Sequence, residues 1–111
     1  MFNKLNRNTA RSVKEGIDLE TLEFRKLKEF IGHTLNVDGF FFTNGEYGRQ
    51  VVVVANGYKI NMPSRAVNQF EEIYNDAELL QGVLDGHLGI NEIQQVKTKK
   101  GHTISYSFFD R

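Results

Sequence analysis

The sequence predicts a mainly β domain, a small β-barrel with a helical insert, and three observations carry that prediction. Leu35/Val37/Phe41, Tyr58/Ile60/Met62 and Ile104/Tyr106/Phe108 alternate apolar residues with the period of two that marks a strand with one buried face. Asn56-Gly57 joins two such runs with the dipeptide most typical of a type I′ hairpin. Between the third and fourth strand signals the period changes, with Val67, Phe70, Ile73 and Tyr74 at helical spacing.

Taken in order, Met1 to Gly16 is poor in apolar residues and reads as part of a flexible basic N-terminal arm over residues 1–20. Residues 21–111 form the single folded domain. Leu22, Leu27, Phe30 and Ile31 predict a short helix or turn stopped by Gly32, with Phe24 off its apolar stripe. In the strand that starts at Thr34, strict alternation places Leu35, Val37, Gly39 and Phe41 on one face and Asn36, Asp38, Phe40 and Phe42 on the other. The segment 43–48 is a turn, and Val51–Val54 reads as a central strand. Pro63 ends the third strand, and Ser64 is placed to cap a helix from Arg65 to Tyr74. Asp76 is placed to cap a second helix carrying Leu79, Leu80, Val83 and Leu84, and Gly86 ends it. Residues 87–98 form an irregular strand with a bulge, because Leu88 and Ile90 are out of phase with Ile93. Lys99-Lys100-Gly101 turns the chain into the last strand.

The order β-β-β-α-β-β, preceded by a short helix, is that of an OB-like five-stranded antiparallel barrel. An SH3-like barrel is the competing architecture, but it normally lacks so long a helix at that place.

At 111 residues the chain fits one domain. It has no cysteine, which excludes disulfides, thiol catalysis and cysteine-ligated zinc and predicts a cytoplasmic protein. Met1–Lys14 lacks the apolar core of a signal peptide. The formal net charge is zero, yet it is unevenly spread: +2 over residues 1–33, −5 over 61–95 and +3 over 96–111. His33, His87 and His102 are far apart in sequence, and neither a Walker A motif nor GxSxG nor HExxH occurs. No enzyme, cofactor or metal is therefore expected.

The stretch from Phe24 to Pro63 resembles the front half of small OB-fold single-stranded-DNA-binding proteins of phages and mobile elements of Gram-positive bacteria. The resemblance rests on Ile31-Gly32, the strand Leu35–Phe42, the pair Tyr47-Gly48 and the run Val51–Val54. It implies sequence-tolerant binding by aromatic stacking and local cation contacts. The residues suited to that chemistry are Phe40, Phe42, Tyr47, Arg49, Lys59, Arg65, Lys97, Lys99 and Lys100, since every base offers a π-face and every nucleotide a phosphate. A second reading is a protein–protein interaction module, such as a phage-encoded, anti-CRISPR-like inhibitor of a host nucleic-acid-binding protein. It would act through the acidic insert residues Glu71, Glu72, Asp76, Glu78 and Asp85. A third is a dimerising accessory subunit of phage replication or recombination, with Phe40 and Phe42 in a homodimer interface.

Overall fold

The computed structural model describes residues 12–14, 16–45 and 48–111; residues 1–11 and 15 of the expected arm, and Tyr47, lie outside the described residues. Six strands form one sheet: β1 (Glu23–Lys26), β2 (Leu35–Gly45), β3 (Gly48–Ala55), β4 (Tyr58–Asn61), β5 (Leu88–Thr98) and β6 (Gly101–Asp110). Their order is β1-β4-β3-β2-β5-β6. The sheet curls into a half-barrel around two helices, α1 (Ala66–Asn75) and α2 (Ala77–Leu84).

Several turns and caps after residue 34 follow the local chemistry. Asn56 and Gly57 both take positive φ (52° and 81°), as a type I′ turn requires. The Asn56 side chain also accepts from Asn36 N–H and donates to the Thr34 carbonyl, which ties this turn to the start of β2. Asp76 caps α2, accepting from the N–H groups of Glu78 and Leu79. Ser64 does not cap α1; Arg65 occupies that position in helical conformation, without a side-chain cap. The expected bulge in β5 lies between Asn91 and Gln94, where Glu92 adopts φ 52°.

The front of the chain departs from expectation. Where Leu22–Ile31 predicted a short helix or turn, only Leu27–Phe30 forms a 3-10 turn, and with a second one at Leu19–Thr21 it flanks a strand, β1. β1 pairs in parallel with β4, Phe24 opposite Lys59 and Lys26 opposite Asn61. A sheet of five antiparallel strands thus becomes six strands with one parallel pair, and β1 and β6 are its edges. Ser12 and Val13, within the expected arm, are buried, and Val13 bridges Gly39 in β2. β5 begins opposite the start of β2, so Asp38 and Phe40 lie beyond its reach. Residues 12–14 supply the missing backbone partners there: Phe40 N–H donates to Ser12 O and Lys14 N–H donates to Asp38 O.

The largest change is one of phase. The β2–β3 register shifts between Val37 and Gly39, leaving Asp38 as an extra residue. From there on Phe40 and Phe42, not Phe41, face the helices. Phe40 is fully buried, with its ring centroid 4.9 Å from that of Phe70. Together with Leu35, Val37, Val51, Val53, Ile60 and Ile90 these rings form the core. Burial of each such side chain contributes about 1.5–3 kcal/mol. Met62 belongs to the core too, and Tyr58, Ile104, Tyr106 and Phe108 pack against it, as their alternation predicts. Among the described residues no helix is long and apolar enough to cross a membrane.

Candidate nucleic-acid interface

The bulge at Asp38 disperses the expected site. Phe40 has no exposed surface and cannot stack on a base. Phe42 is half-buried between Phe40 and Tyr74, and the Arg49 guanidinium lies 4.1 Å from its centroid. Arg49 also donates to Glu71 at 2.7 Å, so this cation already has a ring and a carboxylate from α1 as partners. Arg65 is similarly engaged. Its guanidinium sits over the Tyr106 ring and donates to Thr103 Oγ1 (3.1 Å) and to the Ile104 carbonyl. With the Gln69–Tyr106 hydrogen bond and the Phe70–Phe108 ring contact, it fastens α1 alongside β6. Half-burial pushes the Tyr106 hydroxyl pKa up, and the nearby Arg65 charge opposes that.

The opposite face of the sheet carries a different set. By alternation with the core residues, Phe41, Val52, Val54, Lys59 and Asn61 point away from the helices, and the parallel register adds Phe24 and Lys26. One row across the strands reads Phe24, Lys59, Val54, Gly39, and the next reads Lys26, Asn61, Val52, Phe41. Val52 and Val54 are buried, whereas Phe24 is 55% exposed. The Lys59 ammonium lies 4.3 Å from the Phe24 centroid. Lys26 is exposed, and Lys59 and Phe41 are partly exposed. Val52, Val54 and Gly39 are covered, the last by Val13, so the exposed part of this face is its β1–β4 end, where a ring and two ammonium groups can stack on a base and hold its phosphates.

Of the expected residues that are described, Lys59 alone joins this face. Phe24, Lys26 and Phe41 were missed. The signal was present in Glu23-Phe24-Arg25-Lys26: read as a strand rather than part of a helix, it places Phe24 and Lys26 on one side. Lys97, Lys99 and Lys100 are exposed at the β5–β6 hairpin tip, a separate cluster in which Lys97 pairs across the strands with His102.

The acidic residues are partly committed to the fold. Glu71 holds Arg49, Asp76 caps α2 and Asp85 accepts from the Gln81 side chain. Glu72 and Glu78 are exposed. Asn68, Glu71, Glu72, Asn75, Asp76 and Leu79 line a shallow depression between α1 and α2, with Leu79 51% exposed. The histidines remain apart: His33 meets the Phe30 ring edge-on, His87 lies beside the Arg111 carbonyl and His102 is on the hairpin. Among the described residues no group of three or more His, Asp or Glu is placed to hold a metal ion.

No family model matches the chain, and neither a curated protein nor a solved structure matches it.

Proposed function

We propose that the chain is an OB-like binding domain, not an enzyme, which takes up single-stranded nucleic acid on the exposed β1–β4 end of the outer face, with Phe41 of β2 at its margin. The observation that carries this reading is the exposed Phe24 ring with the Lys59 ammonium 4.3 Å away, one strand from Lys26. Phe24 and Phe41 are the stacking rings, and Lys26 and Lys59 are the phosphate contacts. The strand order supports it: three meandering strands, helices, then a hairpin whose first strand returns to β2 is the plan of a partly open Greek-key barrel. β1 is an addition at the edge of β4. Selectivity for single strands follows from the chemistry, since a paired base cannot lay its face on a side chain.

The test is a fluorescence-anisotropy titration of labelled oligo-dT at several salt concentrations. Two lysine contacts give a log–log salt slope of about −1.4, at about 0.7 per phosphate. Lys59→Ala weakens binding and removes about half of that slope, whereas Phe24→Ala weakens binding and leaves the slope unchanged. Duplex of the same length binds worse. Absence of binding at low salt up to high micromolar protein overturns the proposal.

The exposed Leu79 in its acidic surround favours one second reading, a surface for a basic, partly apolar protein segment. Binding that is lost in Leu79→Ala and untouched by Phe24→Ala identifies it.

A further inference from the structure

The two edges of the sheet are protected very differently. β1 is four residues long, and three of them are charged: Glu23, Arg25 and Lys26. Arg25 is held by Glu23 and Glu29. Short, charged edges resist pairing with other chains. β6 is ten residues long, and Thr103 to Phe109 contains no charge, no proline and no glycine. It is rich in residues that favour strands, and its register to β5 is unbroken from Asp110 to Ser107.

The hydrogen bonds show which groups of β6 are free among the described residues. Arg111 N–H donates to His87 O, so the odd-numbered residues of this strand turn their backbone toward β5. The Ile104 carbonyl instead receives Arg65 from the opposite side. Residues 104, 106, 108 and 110 therefore direct their N–H and C=O groups to the open edge. A carbonyl carries two lone pairs, so Ile104 can keep Arg65 and still accept from a strand.

We propose that this edge pairs antiparallel with β6 of a second copy of the chain, about a two-fold axis at Tyr106. Such a pairing is isologous and closes after two copies. With the axis at Tyr106, Ile104 faces Phe108 of the second copy and Ser105 faces Ser107 of the second copy. The uncharged run meets itself with no like charges opposed. At each end His102 meets Asp110 of the second copy, an acceptor opposite a ring that can donate or carry positive charge. Moving the axis by two residues to Phe108 sets Asp110 against Tyr106 and loses that complementarity. The parity of the free backbone groups excludes an axis between two residues, and an axis at Ser105 or Ser107 sets His102 against Phe108 or Asp110 against Ile104 and so loses the His102–Asp110 pair.

The chain has no cysteine, which makes a direct test available. Ser105 and Ser107 face each other across the proposed axis as a non-hydrogen-bonded pair. Such pairs bring Cα atoms to about 4.5 Å, within disulfide range. Ser105→Cys and Ser107→Cys are prepared separately, oxidised alone and oxidised as an equal mixture. The mixture forms a cross-linked dimer several-fold faster than either variant alone or a Phe24→Cys control. Sedimentation equilibrium of the unmodified chain gives a mass rising with concentration from 12.8 kDa toward twice that value. The double variant Ser105→Lys/Ser107→Lys, which opposes lysines across the axis, stays at the single-chain mass while melting cooperatively. A single-chain mass for the unmodified protein at hundreds of micromolar overturns the pairing. Cross-linking of Ser105→Cys alone as fast as the mixture overturns the axis at Tyr106.

Discussion

Phe40 and Phe24 are the same side chain on opposite faces of one sheet, and their surroundings set opposite roles. Phe40 lies against Phe70, Phe42 and Tyr74 and has no exposed surface. Phe24 is 55% exposed, and the Lys59 ammonium lies 4.3 Å from its ring centroid. The inner face spends its cations internally, Arg49 on Glu71 and Arg65 on β6. The outer face leaves Lys26 and Lys59 without ion pairs among the described residues. An aromatic residue near a lysine or arginine in sequence therefore says little about binding until the strand phase is known.

The comparison breaks most visibly at Phe40. Phe40→Ala empties a ring-sized volume in a core that cannot fully collapse and costs about 3–5 kcal/mol by denaturant titration. A loss below about 1 kcal/mol would mean that Phe40 is not part of the core. Next in size is Gly39→Ala, where an added Cβ meets the backbone of Val13 and lies 2.7 Å from Ser12 O. That overpacking costs about 1–3 kcal/mol and forces residues 12–14 away from β2. Faster hydrogen exchange at the Phe40 amide, which donates to Ser12 O, reports the displacement.

Tyr106→Phe is a smaller perturbation on the inner side. It removes the 2.6 Å hydrogen bond to Gln69 and costs about 0.5–1.5 kcal/mol. Its pH dependence has a definite sign. The folded hydroxyl holds its proton more tightly than in the unfolded chain, because burial disfavours the phenolate. The associated stability is fully present below the unfolded pKa of about 10 and is lost as pH rises through the folded value. The alkaline decline in stability is therefore shallower in Tyr106→Phe. The smallest stability effect belongs to Phe24→Ala, within about 0.5 kcal/mol, since an exposed ring contributes little burial. If the outer face binds single strands, the same change weakens binding by about 5- to 150-fold, the equivalent of one stacked base. A large loss of stability in Phe24→Ala would merge the two faces into one structural role.

Much of the fold was legible because local chemistry determined it. Asn56-Gly57 dictated a turn, Asp76 a cap, and the phase conflict of Leu88 and Ile90 with Ile93 a bulge. Two features were not legible, and for different reasons. β1 is a charged tetrapeptide that becomes a strand only because β4, more than thirty residues later, offers it a parallel partner. Leu22, Leu27, Phe30 and Ile31 carry a helical spacing locally, and tertiary pairing overrides it. The bulge at Asp38 was signalled only by a poor strand-forming pair, Asp38-Gly39, inside an apolar run. One extra residue reverses the face of every side chain after it, so Phe40 and Phe42 exchanged roles with Phe41. Because the expected site was built on that phase, it was lost with it, while Lys59 kept its place in an uninterrupted strand.

The parallel β1–β4 pairing also bears on how the outer face opens. None of the four residues of β1 is buried, and the strand is held by one neighbour. Closing the loop between Phe24 and Lys59 costs chain entropy that little buried area offsets. This edge is thus among the least stable units of the molecule and detaches without unfolding the rest. When it detaches, Phe24 and Lys26 leave Lys59 and the candidate face is dismantled. A ligand spanning both strands selects the docked arrangement, so its affinity is scaled by the fraction of molecules in which β1 is in place. Slower amide exchange along β1 and β4 on addition of ligand is the measurable form of that coupling.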